Sequence, residues 1–287
     1  MWETTVTRSG VYTPIPAFVD SLVLTATGTG ISAFDAATGI LQWQADTGSP
    51  VISEPLVYDG LVVVSTSGQG LYAIDTQTGV QRWVATLPDF PRSLAADDGR
   101  IFVSGQNTTV RAFDRATGVE LWETDLLDIV RTDVVVAHGG VYVGIRDQVL
   151  FRMNPESGEI ENTIDFIASS LGNADPMSSV DSIAAGAEAL FVAVGSNLVS
   201  LDPVTFDVHW HFNQSSTIAG SSVLTVGDTV IYFYTLAVQA LAAADGTEIW
   251  TFRDGASEEM VIVDGLMIVP DGFELVAYDS LTDPAFV

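Results

Sequence analysis

Cysteine and lysine are both missing from this chain of 287 residues, and each absence removes chemistry. Without cysteine there is no disulfide, no thiolate metal site and no thiol nucleophile. Without lysine every one of the ten cations is arginine, set against 37 acidic residues for a net charge of −27. A surface of that sign repels nucleic-acid phosphates and anionic lipid, so neither is an expected partner. The composition fits adaptation to concentrated salt, where the Debye length falls to about 3 Å at 1 M and self-repulsion is screened. Also missing is any run of about 18 apolar residues, so no helix is expected to insert in a bilayer, despite a hydrophobic content of 47% and a mean hydropathy of +0.34. The opening MWETTVTRSG lacks the basic-then-apolar order of a secretory leader. The expected location is cytoplasmic, or within an assembly released from the cell, in a hypersaline setting.

What is present is a set of short β-branched and aromatic runs, such as Leu61-Val62-Val63-Val64 and Ile231-Tyr232-Phe233-Tyr234, which read as strands. They recur with a fixed companion. The segment AFDAATGILQW, from Ala33, returns as AIDTQTGVQRW from Ala73 and as AFDRATGVELW from Ala112. Aligned on the acidic position, the copies fall at Asp35, Asp75, Asp114, Asn154, Asp202, Ala242 and Asp279, with spacings of 40, 39, 40, 48, 40 and 37. Repetition at this period is the mark of a repeat architecture. Seven copies account for the chain as one domain, 1–287. The one long interval holds a small, polar insertion, 168–181.

Within a copy, an apolar stretch precedes a turn pair such as Asp59-Gly60, Asp98-Gly99, Gly139-Gly140 or Asp264-Gly265. A second run, the Asp-bearing strand and a Trp-bearing strand follow. Four strands repeated seven times predict an all-β, seven-bladed β-propeller of four-stranded antiparallel blades. The Asp and Thr-Gly predict a turn in which the carboxylate accepts backbone N–H groups and Gly takes positive φ, as at Gly39, Gly79 and Gly118. The Trp eight residues after the Asp (Trp43, Trp83, Trp122, Trp210, Trp250) is predicted to seal one blade against the next, Asn162 alone breaking the series. The sixth tryptophan, in Trp2-Glu3-Thr4-Thr5, matches Trp122-Glu123-Thr124-Asp125, so the N-terminal strand is expected to complete the last blade and close the ring.

The motif A-Φ-D-x-x-T-G-x-x-x-W resembles the repeat of the pyrroloquinoline-quinone-like propellers. That family takes in quinone-dependent alcohol dehydrogenases, the lipoprotein propeller of outer-membrane protein assembly, and many propellers of salt-loving archaea; the missing lysine makes this chain most similar to the last. The resemblance implies that the dehydrogenases have eight blades and stack their quinone on a disulfide of adjacent cysteines, beside calcium held by Glu, Asn and Asp. This chain has no cysteine, seven repeats and every Trp in the blade slot, so the expectation is no enzyme and no cofactor.

Other chemistry is sparse. His209-Trp210-His211 puts two imidazoles on one strand face, read here as exposed residues flanking a packed Trp rather than metal ligands. His138 and Gly68-Gln69-Gly70 read as turns, and the acidic loop from Asp254 to Glu259 as solvated rather than calcium-binding. No G-x-S-x-G elbow is present. The arginines, however, are unevenly spread: eight of the ten lie within 82–152, which holds ten acids and nets −2, leaving −25 for the other 216 residues. Arg92 and Arg131 each lie nine residues after their Trp, Arg8 lies six after Trp2, and Arg146 precedes a motif strand. These four are expected to line one opening of the propeller and to bind an acidic partner segment or an anionic ligand, the alternative being that these same arginines pair with carboxylates between blades. The leading expectation is therefore a non-catalytic scaffold that binds protein, followed by a structural subunit of an extracellular or virion-like assembly, and then by an enzyme or ligand binder with a site at the channel mouth.

Overall fold

A computed structural model describes residues 16–105, 107–172, 178–213, 222–234, 237–252, 261–263, 266–271 and 274–279, with backbone alone for 92, 234, 237, 252 and the segments beyond 252. Among these residues every regular element is a strand, and no helix is long and apolar enough to cross a membrane.

The first sheet runs β1 (Ala17–Val19), β2 (Leu22–Thr27), β3 (Gly30–Asp35), β4 (Leu41–Asp46), and the second β5 (Leu56–Tyr58), β6 (Leu61–Ser65), β7 (Gly70–Asp75), β8 (Gln81–Thr86). The third runs β9 (Pro91–Ala96), β10 (Arg100–Gly105), β11 (Thr109–Asp114), β12 (Glu120–Asp125), and the fourth β13 (Val135–Ala137), β14 (Gly140–Gly144), β15 (Val149–Met153), β16 (Ile160–Asp165). The fifth runs β17 (Val180–Ala185), β18 (Leu190–Val194), β19 (Asn197–Leu201), β20 (Val208–Asn213), and the sixth β21 (Ser222–Val226), β22 (Thr229–Tyr234), β23 (Ala237–Ala242), β24 (Glu248–Phe252). A seventh, β25 (Val261–Val263), β26 (Leu266–Asp271), β27 (Glu274–Asp279), has three strands among the described residues. All are antiparallel meanders. The strand expected from Trp2 lies outside the described residues, as does the Asp254–Glu259 loop.

The chain divides into two compact units, Met1–Val136 with Asn154–Glu159, and Ala137–Met153 with Ile160–Val287. In the first, β1 lies beside β5 and β5 beside β9; in the second, β17 lies beside β21. First strands are thus innermost within each unit, and the Trp-bearing strands outermost. The cores lie between facing sheets: Leu24, Ile31 and Trp43 meet Val62, Val64 and Ile74, while Leu71 and Trp83 meet Ile101 and Phe113.

The motif behaves as its residue types require. Asp35 Oδ1 accepts the Ala37 and Thr38 N–H groups and the Thr38 hydroxyl, and Asp75 and Asp114 repeat the arrangement on Thr78 and Thr117. Four of the tryptophans then cross to the same turn of the following sheet. Trp43 Nε1 donates to Thr76 O at 2.9 Å, Trp83 to Arg115 O at 2.7 Å, Trp122 to Pro155 O at 3.0 Å and Trp210 to Ala243 O at 3.0 Å. The indole lies so close to the motif glycine that a Cβ on Gly79, Gly118, Gly158 or Gly246 would stand 2.5 to 2.7 Å from a ring atom. Glycine is required twice over, by its positive φ of 70–71° and by the ring above it.

The fourth sheet departs from this pattern at several positions at once. Asn162 stands in the Trp slot and Arg152, its cross-strand neighbour, where the other sheets carry a small residue. In the next turn Phe206 replaces the glycine, keeping a φ of 61°, and is buried. Tyr142 packs 6.3 Å from the Phe206 ring, and its hydroxyl donates to Pro203 O, counterpart of the carbonyls that take the indole N–H elsewhere. Asn162 Nδ2 donates to Val204 O, and Arg152 pairs with Glu161. The tryptophan is therefore replaced by a set of residues, not simply lost.

Two boundaries differ from expectation. The hairpin expected at Gly139-Gly140 turns at His138-Gly139, both with positive φ, so Gly140 opens β14. The insertion ends short of 181, because β17 opens at Val180, which pairs with Val194, with Asp181 bulged out before Ser182 rejoins the ladder.

Among the motif carboxylates, Asp75 falls from 3.8 to about 2, held chiefly by the Arg82 guanidinium and then by the Thr78 hydroxyl. Asp35, with Gln42 where Arg82 stands, is lowered mainly by Thr38. A depressed carboxyl pKa stabilises the fold above the unfolded value, and that contribution is lost as pH drops from about 4 through 2. Arg82→Gln is expected to return Asp75 toward the Asp35 value in a carboxyl NMR titration. An unmoved Asp75 would assign its depression to Thr78 alone.

Candidate interaction surface

The loops that join one sheet to the next share an end of each sheet with the turns between its second and third strands. The backbone bonds show it: Thr47 N donates to Thr29 O, Leu87 N to Gln69 O, Leu126 N to Thr108 O and Phe166 N to Gln148 O. This is the end where Arg131 and Arg146 were expected. Arg131 lies in the connection between β12 and β13, exposed between buried Val130 and Thr132, and Val130 N donates to Asn107 O. Arg146 is exposed in the turn between β14 and β15. Arg92 is the second residue of β9 rather than part of a connection, because Pro91 already opens the strand; its side chain, and all of Arg8, lie outside the described residues.

Five of the other arginines, all among the described residues, serve the architecture. Arg115 donates to Asp59 at 2.7 Å and stands 5.3 Å from the centre of the Tyr58 ring, joining the third sheet to the second. Arg100 bonds Asp97 at 2.7 Å and approaches Glu156 at 3.5 Å. Arg111, buried, bonds Asp89 at 3.1 Å and Glu123 at 3.0 Å, and Asp89 also accepts from Asn107 and Thr109. With Arg82 on Asp75 and Arg152 on Glu161, five arginines are ion-paired within their units. Of these pairs Arg115–Asp59 and Arg100–Glu156 run between neighbouring sheets, and the others lie within one sheet and its loops.

On the same end of the first unit stands a residue that sequence reasoning passed over. Leu127 is 87% exposed and has a φ of 65°. Its N–H is held by Asp125 Oδ1 at 2.9 Å, as the Gly48 N–H is held by Asp46 Oδ1 at 2.9 Å in the first sheet. Gly48, with a φ of 70°, is what this backbone prefers; leucine in its place is strained and gains no burial. Phe90, in the preceding connection, is also half-exposed. The available signal was the alignment of Leu127 with Gly48, both five residues after their Trp.

His209 and His211 are exposed on either side of Trp210, His138 sits in its turn with Nε2 3.0 Å from Gly186 O, and among the described residues no group of acidic and imidazole side chains could hold a metal ion.

Residues 1–92 and 85–231 match the family model described as outer membrane protein assembly factor BamB. The chain belongs to this family. No curated protein sequence matches it. Among solved structures, BamB from Moraxella catarrhalis is similar at 18% identity and a TM-score of 0.75, over 92% of this chain and 85% of that one. Sqt1 from Saccharomyces cerevisiae is similar at 13% identity and 0.68, over 87% and 78%. Quinohemoprotein alcohol dehydrogenase ADHIIG from Pseudomonas putida HK5 is similar at 14% and 0.60, over 92% of this chain but 62% of its own. At these identities the likeness is of fold, a β-propeller of the BamB type.

Proposed function

We propose that this protein is a non-catalytic scaffold propeller that binds a protein partner through its loop end. In this reading the seven repeats are seven blades and the protein works in concentrated salt. Leu127 carries the reading: a large apolar side chain held in open solvent, at a strained backbone angle, is retained for what it touches rather than for the fold. Arg131, four residues on in the same loop, adds a cation suited to carboxylates on a partner. Membership in a family named for an assembly factor supports protein binding, and the lack of cysteine speaks against the quinone stacking of the dehydrogenases.

Leu127→Gly separates function from stability, because it removes the contact and relieves the strain together. It is expected to raise the thermal midpoint by a few degrees, for about 1 kcal/mol of relieved strain, while abolishing capture of the protein that wild type retains from native lysate in molar salt. Arg131→Glu is expected to weaken the same capture without changing the midpoint. If both variants retain that protein as wild type does, the loop end is not the binding site.

A further inference from the structure

The outer rim of the first unit carries a second apolar surface, on the outermost strands and the turns that lead into them rather than in the loop that bears Leu127. The residue after each motif glycine is Ile40, Val80 and Val119 in the first three sheets, exposed by 62%, 57% and 60%. Leu41, Val84 and Leu121, on the outermost strands beside them, are each about half exposed. The pieces connect from sheet to sheet: Val80 follows Gly79, on which Trp43 packs, and Val119 follows Gly118, on which Trp83 packs. The later repeats carry Glu159, Asp207 and Thr247 at the position of Ile40, all exposed. One turn geometry thus accepts either chemistry, so the apolar residues are not needed to build it.

We infer that this rim is an interface between two copies of the chain, related by a two-fold axis near the second sheet. Charge selects the partner. A body of net charge −27 repels its own copy, yet β4 and β8 together carry one aspartate, Asp46, and one arginine, Arg82. Arg82 stays 56% exposed although it bonds Asp75, and Glu120 and Glu123 of β12 are also well exposed. Opposite signs on one patch suit an isologous contact, in which Arg82 of one copy faces Glu120 or Glu123 of the other. The size is adequate too. Strands of six residues run about 20 Å and sheets pack at least about 10 Å apart, so three outer strands offer a surface on the scale of the roughly 800 Å² per partner in a stable interface.

Sedimentation velocity tests the inference, with Val80→Glu/Val119→Glu as the variant. Glutamate already occupies the equivalent position at 159, so the fold tolerates it; circular dichroism and the thermal midpoint should match wild type. At 50 μM wild type is expected to sediment as a dimer in 2 M NaCl and to shift toward monomer at 50 mM, as unscreened charge returns. The double variant should be monomeric in both, its dissociation constant weakened at least a hundredfold, while Leu127→Gly should remain dimeric. A wild type that is monomeric in 2 M salt, or a double variant that still dimerises, overturns the inference. Loss of partner capture in Leu127→Gly alone tests the loop end separately.

Discussion

Gly118→Ala is expected to destabilise the fold by about 3 kcal/mol, from the strain of a left-handed alanine and the cost of overpacking a closed site. The added methyl would stand 2.5 Å from Trp83 Cε3 at a φ of 71°. The ring cannot yield cheaply, since its Nε1 is bonded to Arg115 O at 2.7 Å and its other face closes the core between the second and third sheets. In a chain of this size the thermal midpoint should fall by roughly 5–10 °C. Gly48→Ala supplies the control: its φ is 70°, but nothing lies within 4 Å of the new Cβ, so strain alone should cost about 1 kcal/mol. Equal losses in the two variants would mean that the indole contact is soft and that the repeat glycine serves only its turn.

The fold was legible because most of the described joints are written within eleven consecutive residues. An Asp, a Thr-Gly and a Trp at fixed spacing specify one turn, and the turn receives the tryptophan of the sheet before it, so the repeat fixes both the strands and the way neighbouring sheets pack. The pairs that join sheets were not legible for the opposite reason: Arg115 meets Asp59 across 56 positions of sequence, and in so acidic a chain many carboxylates are formally available to every cation, the near ones on Arg82, Arg111 and Arg152 included. Leu127 was hidden by its neighbours, since a leucine within DLLDIVR reads as one more residue of an apolar loop until the structure shows which of them face inward. Ile40, Val80 and Val119 occupy a position that the motif leaves unspecified, their exposure being a property of the rim rather than of the residues.

The fourth sheet allows the repeat rule to be tested against its own exception. Phe206→Gly alone is expected to cost about 3 kcal/mol, because a buried ring against Tyr142 is removed and only part of the loss is offset by relief of its positive φ. Asn162→Trp alone should cost a similar amount, the indole meeting Phe206 and Arg152 where other sheets present glycine and a small residue. Combined with each other and with Arg152→Ala, these changes rebuild the arrangement of Trp122 on Gly158 and should recover most of the loss, a coupling above about 2 kcal/mol in the cycle. Tyr142 would then yield Pro203 O to the indole N–H, so Tyr142→Phe should cost less in the rebuilt protein than in wild type, where the hydroxyl holds that carbonyl at 2.8 Å. Additive losses would show that the residues around Asn162 are independent accidents. Strong coupling would show that an indole on glycine and a phenylalanine beside a tyrosine are two solutions to one packing problem, set by how closely each sheet must approach the next turn.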